Sequence, residues 1–213
     1  MATEIYYLKL KPGVNVEEGE AAKQWKEAMR ILASPEGLIS SSWGLQYENP
    51  QILMGIVNWA SLEDHEKFSK SETHSTFVGI LGTIIERPYL HHFQPTSPID
   101  SLVSTAPCVE VATFYDIPPN FLVNIKAFAE ALANGKVPGF IGYTYGPAIE
   151  EIAPYEKVFE EGAEKKKAAV LLITWESKEK HIEFTQSELY KEKVPLLIGA
   201  KGFEIFHVSF KSG

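Results

Sequence analysis

Two stretches of the chain, WASLEDHEKFSKSETH from Trp59 to His74 and WESKEKHIEFTQSELY from Trp175 to Tyr190, carry their rings in one register. Trp59 matches Trp175, His65 matches His181, Phe68 matches Phe184 and, further on, His91 matches His207, each pair 116 positions apart (175 − 59). Such spacing marks an internal repeat, which has to be recognised before any residue pair is read as chemistry. Earlier segments match at other offsets: EIYYLKLKPG resembles EVATFYDIPP at 106, and GLISSSWG resembles GFIGYTYG at 102. The second copy therefore has a shorter first connection and a longer excursion, PAIEEIAPYEKVFEEGAEKKK.

Within the first copy, IYYLKL is rich in β-formers and KPG breaks it. In EEGEAAKQWKEAMRILA, Ala21, Trp25, Ala28, Met29 and Leu32 recur at three- and four-residue spacing, the apolar face of a helix. GLISSSWGLQY and QILMGIVNW read as the second and third strands. ASLEDHEKFSKSETHSTFVGILGTII returns to helical spacing, with Ser61 as N-cap and Asp64 three residues on, and RPYLHHFQP reads as a fourth strand. The second copy keeps this order and ends in GFEIFHVSF. The fold class is α+β, with β-α-β-β-α-β twice: the ferredoxin-like order, in which two helices cover one face of a four-stranded sheet. The repeats span residues 1–94 and 108–213, the second with an insertion near 147–167, and Pro95, Pro98 and Pro107 mark 95–107 as an exposed linker. Each sheet leaves one face uncovered, and the other repeat can cover it sheet to sheet. That would make a pseudo-dimer within one chain, with further homodimerisation open through exposed edges or helices.

With this order twice, and a Trp followed six positions on by His and three further by Phe, the sequence resembles the dimeric α+β barrel superfamily. The resemblance is strongest to its antibiotic-biosynthesis-monooxygenase-like branch, in tandem form. It implies two ferredoxin-like repeats forming an intramolecular α+β barrel, with a pocket between each sheet and its helices. It further implies a small-molecule enzyme without organic cofactor, acting on an aromatic or polyketide-like substrate by proton-transfer cyclisation or cofactor-independent oxygenation. Superfamily relatives also include non-catalytic ligand-binding and stress-response proteins and haem-degrading enzymes, and a shared fold does not choose among them. The haem-degrading relatives imply a histidine ligand on the second helix, a nearby tryptophan and an asparagine on the first strand. EIYYLKL has no asparagine, which argues against haem degradation and leaves only haem binding by His74 or His65.

Leu62, His65 and Phe68 share a helical face, so His65 points inward; its repetition as His181 reads equally well as packing. His74 is more informative because its counterpart is Tyr190. Its spacing to Phe77, Val78 and Leu81 puts it on the buried face, where a neutral imidazole suits a general base. Tyr7 on the first strand is the candidate donor to a ligand oxygen. Ile39, Ser41 and Trp43 alternate onto one strand face, matched by Ile141, Tyr143 and Tyr145. Trp43, Trp59, Phe77, Tyr145, Tyr190 and His181 are the candidate ligand-contacting rings, with core filling as the competing role. The partner is then a small hydrophobic or aromatic molecule.

Several classes are disfavoured. A net charge of −8 argues against nucleic acid, since the basic run Lys165–Lys167 follows Glu160, Glu161 and Glu164. One cysteine, Cys108, permits neither an intrachain disulfide nor a thiolate cluster. His91 and His92 alternate across a strand, and no HExxH or His-carboxylate spacing appears, so no metal is expected. Phosphate-binding glycine loops and GxSxG are absent. No stretch reaches the roughly 18 apolar residues a membrane span needs, and the default location is cytoplasmic.

Overall fold

A computed structural model describes residues 1–213, Ser101 by its backbone alone. The chain divides into two compact units, Met1–Leu90 with Lys211–Gly213, and His91–Phe210.

The first unit contains β1 (Ala2–Leu10), α1 (Gly19–Leu32), β2 (Leu38–Leu45), β3 (Ile52–Trp59), α2 (Leu62–Ser69) and α3 (Glu72–Ile84), followed by β4 (Ile85–Phe93). The sheet order is β4-β1-β3-β2, the ferredoxin-like arrangement, extended at the β2 edge by a short strand, Lys211–Ser212. β1 and β3 pair antiparallel from Ala2↔Trp59 to Lys9↔Ile52. Nearly every residue of these two strands is buried, so both faces of the sheet centre are withdrawn from water. α1 forms for the reason its spacing gives: Trp25, Ala28, Met29 and Leu32 are buried on one stripe against the sheet.

The second unit contains α4 (Asp100–Thr105), β5 (Cys108–Tyr115), α5 (Phe121–Asn134), β6 (Phe140–Pro147), β7 (Ala168–Trp175), α6 (Lys178–Thr185), α7 (Glu188–Lys193), a 3-10 turn over Val194–Leu197 and β8 (Gly202–Val208). Its sheet order, β6-β7-β5-β8, is the same arrangement. Cys108, at the start of β5, is buried and in no disulfide.

The helical stretch after each third strand is broken, contrary to the single helix read from periodicity. Ser61 caps α2 by accepting from the Asp64 N–H, as expected, but Ser71 then caps a second helix by accepting from the His74 N–H. Ser177 and Ser187 repeat this with the Lys180 and Tyr190 N–H groups. Serine competes with the helical backbone for its own hydrogen bonds, and each cap is worth about 1 kcal/mol, enough to favour a restart over a continuous helix. His74 and Tyr190 thus occupy matching first-turn positions.

The segment expected as an exposed linker is not exposed throughout. Ile99 and Val103 are buried, and the Gln94 and Thr96 N–H groups donate to the Pro147 and Tyr145 carbonyls along β6. The prolines flank α4 without preventing it from burying Val103. The 147–167 excursion is also fastened down: Ile152 bridges Lys166, and Glu204 accepts from the Tyr115 hydroxyl at 2.6 Å and the Tyr155 N–H at 3.0 Å.

His91 is fully buried, and burial pulls its imidazolium from 6.5 down to about 4, against the raising charge of Glu150 and with the lowering charge of His92. The folded-state value is depressed, so the stability tied to a neutral His91 is complete above pH 6.5 and lost as pH falls toward 4. The loss amounts to roughly 3 kcal/mol over that window. Urea unfolding at pH 7 and pH 4.5 should show this drop, and His91→Asn should flatten it.

Candidate functional site

Between its sheet and helices each unit holds a cavity, about 520 Å³ in the first and about 470 Å³ in the second. Strand alternation decides what enters them. In β1 the even positions Glu4, Tyr6 and Leu8 line the first cavity. Tyr7 is therefore misplaced as a donor to that cavity: its ring lies against Tyr89, centroids 5.7 Å apart, and Tyr6 is the phenol that lines the space. The Tyr6 ring covers Gly55, its register partner on β3, so closely that a Cβ there would lie 1.9 Å from the Tyr6 Cζ.

Tyr6 is buried and its hydroxyl meets no hydrogen-bond partner among the described residues; the same holds for the Trp25 indole N–H, from α1. Both residues line the cavity. Burial raises the Tyr6 phenol above its ordinary value, with the charge of Glu4 adding to the effect, so the hydroxyl is a donor at every working pH. His74, on the first turn of α3, packs edge-on to Phe68 at 5.2 Å and near Phe77 at 6.1 Å. Its ring nitrogens bond to no protein group among the described residues, and burial lowers its pKa below 6.5. Trp59 and Phe77 line the same space. Trp43 does not: it packs edge-on behind Trp25 at 5.2 Å, under the Lys211 ammonium, and cannot sandwich a ligand with His74.

At the inner end of this cavity Trp59 Nε1 donates to Glu4 Oε2 at 3.0 Å, His65 Nε2 lies 3.5 Å from that oxygen, and the imidazole stacks on the indole at 5.1 Å. The second unit repeats the set. Trp175 Nε1 donates to Glu110 Oε2 at 2.9 Å, His181 Nε2 lies 3.6 Å from it, and His181 stacks on Trp175 at 5.3 Å. Burial pushes the Glu110 carboxyl up to about 7, the Trp175 N–H partly opposing. His181 Nδ1 also meets His207 Nε2 at 2.7 Å. Tyr190 lines this cavity, whereas Tyr145 stacks on Tyr143 outside it.

Periodicity therefore located His65, His74, Trp59, Phe77, His181 and Tyr190 at cavity walls but missed the carboxylates, Tyr6, Trp25 and the place of His207. The available signal was a glutamate at the head of each first strand, Glu4 and Glu110, in an otherwise apolar run and on the face that alternation assigns to the helices.

No family model and no curated protein matches the chain. Solved structures do. A protein described as anthrone oxidase-like superposes with a TM-score of 0.69 at 15% identity, covering 99% of this chain and 92% of its own. A protein from Lactobacillus acidophilus named as a monooxygenase gives 0.57 at 10% identity, covering 99% and 95%. Another so named, from Fusobacterium nucleatum, gives 0.53 at 12%, covering 98% and 91%. The chain has the fold of these monooxygenase-like α+β proteins. Sharing it over nearly the whole length identifies the paired ferredoxin-like repeats as one recurring architecture. Among the described residues no helix is long and apolar enough to cross a membrane.

Gly55→Ala offers a direct check on the first cavity. The new methyl must displace the Tyr6 ring, at a cost of about 1–3 kcal/mol. Chemical denaturation should register that loss, and Tyr6→Ala should cost less stability in the Gly55→Ala background than on its own.

Proposed function

We propose that the first repeat binds an aromatic or polyketide-like molecule in its cavity and deprotonates it for oxidation by O₂, without an organic cofactor. His74 is the base, and the Tyr6 hydroxyl and Trp25 N–H hold the oxyanion. The observation carrying this reading is a largely apolar cavity of about 520 Å³ lined by two buried donors and a histidine side chain for which the described residues offer no hydrogen-bond partner. A buried unpaired donor costs roughly 1–3 kcal/mol, a cost recovered when a ligand oxygen accepts from it. The volume suits a molecule of two or three fused rings.

The anthrone oxidase-like neighbour supports oxidation over cyclisation, and an anthrone shows how the parts would act. His74 removes a proton from the methylene carbon, and the charge moves through the ring system to the carbonyl oxygen. Tyr6 and Trp25 donate to that oxygen, where preorganised donors in a dry site count most. The electron-rich carbon reduces O₂ and forms a C–O bond. Loss of the second C–H proton with O–O cleavage then gives the quinone carbonyl and one water. His65, tied to Glu4 and flattened on Trp59, is a wall group that positions the substrate.

Oxygen uptake with an anthrone as probe tests the assignment. His74→Ala should lower kcat by about 10²–10⁴-fold and Tyr6→Phe by a smaller factor. Because burial depresses the His74 pKa, the base stays neutral through pH 7, and activity should fall only as pH drops below 6.5. Unchanged turnover in His74→Ala would reject it as the base; tight anthrone binding without oxygen uptake would make the cavity a carrier site.

A further inference from the structure

The second cavity departs from the first in its chemistry. Its floor has Ala112 where the first has Tyr6, and its helix turn has Tyr190 in place of His74. It also brings together a buried carboxylate, a buried imidazole and a half-buried one, delivered by three different elements: Glu110 on β5, His207 on β8 and His181 on α6. We propose that Glu110, His181 and His207 bind a divalent first-row transition metal, of the zinc or iron(II) type. This site stands independently of the proton-abstraction reading of the first repeat.

Three observations carry it. The first is convergence: one ligand atom from each residue lies within 4.8 Å of the others, His181 Nδ1 and His207 Nε2 being 2.7 Å apart. Glu110 and His207 are register partners across the β5–β8 ladder, so backbone pairing holds them side by side. An ion set among the three would replace the proton that now lies between the two imidazoles.

The second is orientation. The Trp175 N–H holds Glu110 Oε2 at 2.9 Å and leaves Oε1 without a donor among the described residues. The Trp175 ring stacks on His181 with planes only 20° apart, which fixes the imidazole. A donor that aims a carboxylate and a ring that holds a histidine are the outer supports typical of metal ligands.

The third is access. Glu110 and His181 form part of the wall of a cavity of about 470 Å³ whose other walls include Phe114, Phe128, Leu171 and Ile173. Three protein ligands leave at least one coordination position facing that space, open to water or to an oxygen donor of an aromatic ligand. Two nitrogen ligands with one carboxylate favour zinc, iron, cobalt or copper over magnesium and calcium, which take oxygen. The cation would also neutralise a carboxylate otherwise surrounded by hydrocarbon.

The test uses the full chain, stripped with EDTA, dialysed and titrated with Co²⁺. The expected result is visible d–d absorption that saturates, together with quenching of tryptophan fluorescence, because Trp175 adjoins two of the ligands. Glu110→Gln and His207→Gln should each remove one equivalent of bound metal and weaken binding at this site roughly a hundredfold or more, while His74→Ala retains it. Far-UV circular dichroism of each variant checks its fold. Should either variant unfold, Zn²⁺ added to the unaltered chain gives a second reading, since its ring resonances must shift for His181 and His207 together. Failure of the unaltered chain to bind Co²⁺ or Zn²⁺ below about 100 μM overturns the site, as does binding in folded Glu110→Gln and His207→Gln that matches the unaltered chain.

Discussion

A glutamate buried on a sheet face needs a donor, and in both repeats an indole supplies it. Ala2 pairs with Trp59 across β1 and β3, and Cys108 with Trp175 across β5 and β7. Each tryptophan thus stands diagonal to a glutamate two residues further along the neighbouring strand, on the same face. One N–H···O bond joins strand to strand, and the indole plane then receives a histidine from the following helix. Helix position, histidine orientation and the inner boundary of each cavity follow from that contact. Removing the tryptophan would leave the acid buried without its donor, a severe cost in a low-dielectric interior.

Around this common base the repeats have diverged by exchanges that compensate in volume. In the first, Tyr6 lies over Gly55; in the second, the matching register pair is Ala112 and Leu171. Bulk moves from one strand to its neighbour while the layer stays filled, in keeping with the tolerance of packed cores for volume-conserving change. The consequence is chemical: the first floor gains a phenol and the second becomes hydrocarbon. The change of His74 to Tyr190 moves in the opposite sense at the helix turn, since burial and the nearby Glu110 charge raise the Tyr190 phenol and keep it protonated. Duplicated architecture with unlike linings favours separate tasks for the two cavities.

Much of the architecture was legible because repetition doubled each signal: four rings in one register located β3, α2 and their counterparts, and apolar spacing gave α1. Alternation also separated His91 from His92, and His92 indeed turns to Glu150. What stayed hidden depended on phase or on contacts distant in sequence. Tyr6 and Tyr7 are adjacent, identical and both buried, so choosing between them required knowing which parity faces the helices. Glu4 and Glu110 look like solvent-facing strand ends until a tryptophan more than fifty residues on is seen to bond them. His207 gains its meaning only from His181, on a helix that no local pattern places beside β8. The break at Ser71 was written in the sequence as a cap followed by Glu72, but the apolar period across it was the stronger signal.

The strand Lys211–Ser212 pairs with Ser42 and Trp43 on β2, within the first unit, although the whole second repeat intervenes in sequence. During synthesis on the ribosome, the β2 edge of an otherwise assembled sheet therefore stands uncovered while all of that second repeat is being translated. An open edge is a template for pairing with other chains. That hazard belongs to the growing chain more than to the finished protein, and the polar run Ser40–Ser42 lies on the strand that would bear it.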